Sequence, residues 1–202
     1  HQAVYTDDAI AAAGGDWRIV GVSFRRPDMR DALDPQEYLF TVVAADGARE
    51  ERRVVGALKD MIVAPEDPQA VVGALADPAV SIVTLTITEK GYCLSPATGA
   101  LDFDHADIAA DIASPERPTS AIGYLVAAFA RRAEAGAPFP TVISCDNLPE
   151  NGARLRSAVI ALAERIDPRL AERIASEGAF PSTMVDRIVP ATTPADLDRF
   201  AD

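Results

Sequence analysis

The sequence lacks the short motifs that mark the commonest catalytic and phosphate-binding sites. It contains no Gly-x-Gly-x-x-Gly, no P-loop, no His-Glu-x-x-His, no Gly-x-Ser-x-Gly and no Cys-x-x-Cys. Its two histidines are His1 and His105. A zinc site or a His-dependent triad would need one of them together with partners that the sequence does not indicate. We therefore expect neither a bound metal nor a triad of that type.

Cysteines, basic residues and long apolar runs are also scarce. The two cysteines, Cys93 and Cys145, are too few for a disulfide framework, which favours a reduced, cytoplasmic setting. Nineteen basic residues stand against 31 acidic ones, and the net charge of -12 disfavours nucleic acid as a partner because its phosphates would be repelled. The best apolar run, residues 80–88, is interrupted by hydroxyl residues and is too short to span a membrane. No secretory leader is visible, so we expect no membrane association.

What remains is an alternation of helical and β-type segments, which is typical of an α/β protein. Asp46-Gly47 lies between two β-type runs and is a strong hairpin signal. Apolar residues from Ile122 to Phe129 recur at i, i+3, i+4 and i+7, which places them on one face of a helix. We predict strands at 17–24, 38–44, 51–56, 61–64, 80–87 and 141–145, a loop at 91–118, and helices at 2–13, at 67–75, from 119, after 149, from 167 and from 193.

Residues 80–145 predict a strand, a helix and a second strand. The first strand is rich in β-branched residues on both faces, as expected of a central strand that is covered on two sides. Because such crossovers are right-handed, the two strands should be parallel neighbours. Thr88-Glu89 and Asp146-Asn147 then follow the carboxyl ends of these strands. Ligands bind at that edge of open α/β sheets, so we expect a site there.

Each candidate residue at this edge also has a structural alternative. Thr88 and Glu89 offer a hydroxyl and a carboxylate for a ribose or a substrate, or they form a solvated turn that ends the strand. Asn147 offers both a donor and an acceptor to a ligand. Its alternative is to cap the helix that follows, which is the commoner role for Asn in such a place. Farther along the chain, Asp186 and Arg187 are either part of a site or a surface ion pair.

Four stretches, read together, resemble one family. They are residues 1–3 (HQA), 85–92 (LTITEKGY), 144–148 (SCDNL) and 184–190 (MVDRIVP). In this order and spread over the whole chain they are similar to the long-chain polyol dehydrogenases, the family that includes mannitol 2-dehydrogenase and fructuronate reductase (mannonate oxidoreductase). None of the four stretches would identify the family alone.

The resemblance implies a Rossmann-like, doubly wound fold with a mainly parallel sheet and a β-hairpin insertion. Residues 1–190 would form the NAD(P)-binding domain, without the first strand and the Gly-rich phosphate loop that precede the His-Gln-Ala segment in the family. Residues 191–202 would be the linker to, or the first helix of, a C-terminal catalytic domain. The lysine that acts as general base belongs to that domain and is not in this chain.

The implied activity is zinc-independent hydride transfer between NAD(P) and a secondary alcohol of a linear polyol or sugar acid. The resemblance places Asn147 beside the nicotinamide and the substrate, Asp186 on the substrate side, and Thr88 and Glu89 along the cofactor. Without the lysine, the chain alone should be inactive.

The alternative is a non-catalytic nucleotide-binding or protein-interaction module that retains the fold. If the parent polypeptide carries a Gly-rich loop and a Lys-x-x-x-x-Asn-x-x-His segment in the sequence that flanks this chain, the enzyme is favoured.

Arg25 and Arg26 make the choice of cofactor less direct. They follow the strand at 17–24, whose end meets the adenosine ribose in a dinucleotide fold. An arginine there suits the 2′-phosphate of NADP, whereas an acid suits the 2′-hydroxyl of NAD. The pair has a structural alternative in balancing Asp28 and Asp31. Because the resemblance favours NAD and either acid is close enough in sequence to reach the ribose, we predict NAD, with NADP as the alternative.

Overall fold

The computed structural model describes residues 2–46, 49–184 and 192–200. The described chain mixes helices and strands, as the sequence predicted, and no described helix is long and apolar enough to cross a membrane. The strands are β1 (Ile19–Ser23), β2 (Phe40–Asp46), β3 (Arg49–Val55), β4 (Leu58–Val63), β5 (Ile82–Leu85) and β6 (Thr141–Ser144). The helices are α1 (Gln2–Ala13), α2 (Asp28–Leu33) with a 3-10 turn at Asp34–Gln36, α3 (Pro68–Ala76), α4 (Thr88–Gly91), α5 (Ala106–Ala113), α6 (Ala121–Glu134), α7 (Asn151–Ile166), α8 (Pro168–Glu177) and α9 (Pro194–Phe200).

The described strands form three pairs. β1 and β4 are parallel, β5 and β6 are parallel, and β2 and β3 form the antiparallel hairpin that Asp46-Gly47 predicted. In the β5–β6 pair Ile82 lies opposite Thr141 and Leu85 opposite Ser144. This arrangement confirms an α/β fold with a mainly parallel sheet and an inserted hairpin. It also confirms that the two strands carrying the candidate site are parallel neighbours.

The two parallel pairs are not joined to each other by any described strand. β1 and β5 therefore each keep one edge without a hydrogen-bonded neighbour in the described part of the chain. The prediction that β5 is covered on both faces is wrong for these residues. Val83 and Leu85 are buried, but Ile82 and Thr84 on the opposite face are exposed.

A helical layer packs on the β5–β6 pair and forms the main core. The predicted stripe on α6 is buried, and Ile122 and Phe129 are almost completely inaccessible to solvent. Leu155 and Leu162 of α7 belong to the same cluster. A smaller cluster joins α3 and β4 to the other side of α6, where Tyr124 is buried. α6 thus connects the two strand pairs, which are not hydrogen-bonded to each other in the described residues.

Residues 91–118 are not the continuous loop that the sequence predicted, because α5 forms within them. The ring of His105 caps this helix, with Nδ1 accepting a hydrogen bond from the backbone N–H of Asp107 at 3.3 Å. Ile108 is fully buried and fixes the helix to the core. The Gly, Pro and Ser residues that indicated a loop lie on either side of α5, which is why the short helix between them was missed.

A buried arginine secures the junction between α6, α3 and β5. Arg132 is only 2 % exposed, and its guanidinium donates to the carbonyl oxygens of Leu75, Asp77, Val80 and Pro138 at 2.6–3.0 Å. Burial lowers the pKa of Arg132, but an arginine remains charged in proteins. Charge-assisted bonds to four carbonyls offset the cost of burying that charge.

We predict that Arg132→Ala lowers the free energy of unfolding by about 3 kcal/mol, because it removes four hydrogen bonds from a buried charged group and leaves partly buried carbonyls without donors. The neighbouring Arg131 is exposed, so Arg131→Ala should change the same quantity by only about 0.5 kcal/mol. Urea denaturation of the two variants and the wild type measures both values. Equal losses in the two variants would show that the buried guanidinium does not hold this junction.

Candidate functional site

The candidate site is formed where β5 and β6 end side by side. The backbone N–H of Cys145 donates to the carbonyl of Leu85 at 2.8 Å, which extends the pairing past the last residue of β6. Thr88-Glu89 and Asp146-Asn147 therefore leave the sheet at the same edge. The sequence prediction that these segments are neighbours is confirmed.

The carboxylate of Asp146 joins the two segments directly. One oxygen accepts the backbone N–H of Thr88 at 3.0 Å, and the other accepts the N–H of Ile87 at 3.0 Å and the hydroxyl of Tyr92 at 2.7 Å. The Tyr92 hydroxyl also contacts Ser144 Oγ at 2.5 Å, and both side chains are fully buried. Burial is the main cause that raises the pKa of Tyr92, so its hydroxyl stays protonated and can donate.

The backbone around this carboxylate is strained. Thr88 has a φ of 61°, in the left-handed region that β-branched residues rarely enter. Ile87 before it has a right-handed helical conformation, so that two successive N–H groups turn toward one point. Such a pair of amides forms a concave anion-binding arrangement, called a nest, and here Asp146 occupies it. Strain of this kind is commonly found at functional sites.

A buried amide fixes the other side of the same edge. Asn151 is 1 % exposed and donates from Nδ2 to the carbonyl of Asp146 at 3.0 Å and to that of Thr183 at 3.0 Å. Its Oδ1 accepts the N–H of Thr183 at 3.0 Å. The chain near Thr183 passes so close to α7 that a Cβ at Gly152 would lie 2.5 Å from the carbonyl oxygen of Phe180. The segment that ends at Met184 is thus held against the strand ends, but the predicted site residue Asp186 lies outside the described residues.

Asn147 does not have the structural role that was its alternative. α7 begins at Asn151, and Glu150 is its N-cap, without a side-chain capping bond. The side chain of Asn147 is exposed and has no hydrogen-bond partner among residues 2–46, 49–184 and 192–200. Within the same part of the chain, the exposed side chain of Glu89 has no partner either. Both groups are therefore available to a ligand at this edge.

Arg25 and Arg26 lie at the end of β1, on the other parallel pair. Both are exposed, and Arg26 Nε lies 3.3 Å from a carboxylate oxygen of Asp28. Asp31 instead pairs with Arg30, at 2.8 Å. The ion-pair alternative is therefore observed for Arg26 and Asp28. β1 and β5 belong to different strand pairs, and no hydrogen bond or ion pair in the described residues joins the two arginines to Thr88, Glu89 or Asn147.

Three potential metal ligands, which the sequence did not single out, meet at the start of α5. Ligand atoms of Cys93, His105 and Asp107 all lie within 4.8 Å of one another. Burial, helped by nearby carboxylates, raises the pKa of Cys93 to about 11, so the thiol is protonated at neutral pH. His105 already uses Nδ1 to cap the helix. A metal at this position would have to displace the proton of the Cys93 thiol.

Comparison with known proteins gives consistent results. The family model for the mannitol dehydrogenase Rossmann domain matches residues 1–201. Mannitol 2-dehydrogenase of Cereibacter sphaeroides is 47 % identical over 201 residues, which are 98 % of this chain and 42 % of that protein. D-mannonate oxidoreductase of Escherichia coli (strain K12) is 41 % identical over 206 residues, covering 100 % of this chain and 42 % of its own length.

A solved structure agrees with the sequence relatives. The ternary complex of Pseudomonas fluorescens mannitol 2-dehydrogenase with NAD and D-mannitol superposes with a TM-score of 0.93 and 42 % identity. The match covers 98 % of this chain and 41 % of that one. The chain thus spans about two fifths of the length of the proteins it matches. With a family model that covers nearly every residue and relatives above 40 % identity, the chain belongs to the mannitol dehydrogenase family.

Proposed function

We propose that the chain is the dinucleotide-binding half of a zinc-independent, NAD(P)-dependent dehydrogenase that acts on a linear polyol or sugar acid. The observation that carries the proposal is the exposed amide of Asn147 at the joined ends of two parallel strands, without a partner among the described residues. In open α/β sheets this edge is the ligand-binding edge. The family to which the chain belongs makes a nicotinamide dinucleotide the fitting ligand.

The open edges of the strand pairs support the proposed domain arrangement. Rossmann folds have the strand order 3-2-1-4-5, so β4 and β1 correspond to strands three and two, and β5 and β6 to strands four and five. A first strand from another part of a longer polypeptide would fit between β1 and β5, each of which has one unpaired edge in the described residues. Residues 1–190 are then the cofactor-binding domain, and residues 191–202 lead toward a catalytic domain that carries the general-base lysine.

The chemistry divides between the two halves. A bound nicotinamide would accept or supply the hydride, while a lysine of the second domain takes the proton of the substrate hydroxyl, so that no metal is needed. Asn147 would donate a hydrogen bond to the substrate oxygen and hold it against the nicotinamide. Glu89 and the hydroxyl of Thr88 would line the same cleft, and Asp186 would support the substrate side. The backbone N–H groups at residues 87 and 88 are already occupied by Asp146, so this edge suits neutral ligand groups better than phosphates.

The substrate class rests on the relatives. One is named a mannitol 2-dehydrogenase and another a D-mannonate oxidoreductase, so a linear polyol and a sugar acid are both candidates. The experiment is a panel of polyols and aldonates with NAD and NADP, using the full-length polypeptide. Turnover of a member of either class supports the enzyme. A full-length polypeptide that binds a dinucleotide but turns over none of them would favour the non-catalytic module.

We expect Asn147→Ala in the full-length polypeptide to lower kcat by about 10²–10³-fold, the usual effect of removing one hydrogen bond that stabilises a developing charge. Its melting temperature should stay close to that of the wild type, because the amide stabilises no described part of the fold. Asn151→Ala is the matched control, since it removes a buried amide with several bonds and should lower the melting temperature clearly. A stable Asn151→Ala protein and an unstable but fully active Asn147→Ala protein would reverse the two roles and contradict the proposal.

We also propose that NAD is the preferred cofactor. The ion pair between Arg26 and Asp28 places a carboxylate next to Arg26 at the end of β1. A carboxylate suits the ribose 2′-hydroxyl of NAD and repels the 2′-phosphate of NADP. The solved relative in complex with NAD points the same way.

The expected result is a higher kcat/KM with NAD than with NADP in the full-length polypeptide. Asp28→Ala should raise kcat/KM for NADP by about tenfold, because it removes one repulsive charge interaction worth about 1.4 kcal/mol. Arg25→Ala and Arg26→Ala serve as controls and should lower the residual activity with NADP. A strong preference for NADP that either arginine variant abolishes would make NADP the cofactor.

A further inference from the structure

We propose that Asp146 is a positioning residue for the reaction: its carboxylate holds the strained turn at Thr88 and so fixes Glu89 and Asn147 relative to each other. The proposal rests on the proposed function. It concerns a residue with no direct contact to the substrate, and it explains why an acid precedes Asn147 in the chain.

The first step of the argument is that the contact spans the site. Asp146 follows β6, but the groups that it accepts belong to the segment after β5, 54–59 residues earlier in the chain. The N–H groups of Ile87 and Thr88 converge on its two oxygens. Without an anion, these two amides would face each other across an empty nest, and the left-handed conformation of Thr88 would lose its support.

The second step is that Asp146 is itself held by groups other than the two amides. The buried Tyr92 hydroxyl donates to one carboxylate oxygen, and Asn151 Nδ2 donates to the backbone carbonyl of Asp146. The residue is thereby fixed through both its side chain and its main chain. Asn147 follows it directly, so the position of the Asn147 amide depends on the same contacts.

The third step is that the rate of hydride transfer is sensitive to small displacements of the reacting groups. Hydride transfer requires the substrate carbon and the nicotinamide in close alignment, and a displacement of about 1 Å can lower the rate about 10²-fold. Loss of the nest contact moves the Thr88–Glu89 turn and Asn147 apart without touching the adenosine end of the cofactor at β1. The effect should therefore fall on kcat and much less on the KM of the cofactor.

The test is Asp146→Asn in the full-length polypeptide. The substitution keeps the size of the side chain, but in either orientation its NH₂ group faces a backbone N–H, that of Ile87 or that of Thr88. We expect kcat to fall about 10–10²-fold while the KM for NAD changes less than about threefold. Hydrogen exchange should accelerate in peptides covering residues 86–92 and 145–148, and not in α3.

The control variant must lower the stability of the fold without changing the arrangement of residues at the site. Asp67→Ala removes the N-cap of α3, where the carboxylate accepts the N–H of Ala70 at 2.9 Å. It should lower Tm by about 2–4 °C and leave kcat and KM unchanged. If Asp146→Asn does not fold, Tyr92→Phe replaces it. That variant keeps the carboxylate but removes a hydroxyl that holds it, and a smaller fall in kcat with the same unchanged KM is expected.

The outcomes separate the two proposals. In one outcome the wild type is active while kcat is unchanged in Asp146→Asn, or in Tyr92→Phe where that variant is used. That result overturns the positioning role, but the proposed function stands. A fall in kcat that Asp67→Ala reproduces overturns it as well. A wild type that turns over no polyol or aldonate with either cofactor overturns the proposed function and the positioning role together.

Discussion

The carboxylate of Asp146 connects the ends of two parallel strands, and the candidate site depends on that connection. Parallel pairing brings the β5 and β6 backbones together, but it does not determine how the chain turns after the last paired residue. The contact between Asp146 and the nest at residues 87–88 fixes the direction of that turn, and the side chains of Tyr92 and Ser144 are buried next to it. The side chains of Asn147 and Glu89 can then remain exposed on a backbone that is held from below.

The rest of the molecule packs helices on one face of the β5–β6 pair and leaves other parts of the strands open. α6 and α7 bury their apolar stripes against β5 and β6, while Arg132 holds the start of β5 through carbonyl contacts. β1 and β5 each have one edge without a hydrogen-bonded neighbour in the described residues, and Ile82 is 49 % exposed. The helical layer therefore covers one face of β5 and β6, whereas the proposed first strand of a longer polypeptide would pair with the open edges of β1 and β5.

Much of this could be predicted because the signals were local. Helical periodicity gave the buried face of α6, Asp46-Gly47 gave the hairpin, and the handedness of crossovers gave the parallel neighbours β5 and β6. Non-local facts could not be predicted. The role of Asp146 depends on amides more than fifty residues away, and the exposed face of β5 depends on which helices pack there. The family resemblance identified Asn147, but only the position of the Glu150 cap removed its structural alternative.

The most direct test of the central claim is a crystal structure of the full-length polypeptide with a bound nicotinamide dinucleotide and a polyol or sugar acid. The account predicts the nicotinamide ring at the joined ends of β5 and β6, with the Asn147 amide within about 3 Å of a substrate oxygen. It also predicts that the Asp146 carboxylate still accepts the amides of Ile87 and Thr88. A ring bound elsewhere, or an Asn147 side chain turned away to cap α7, would contradict it.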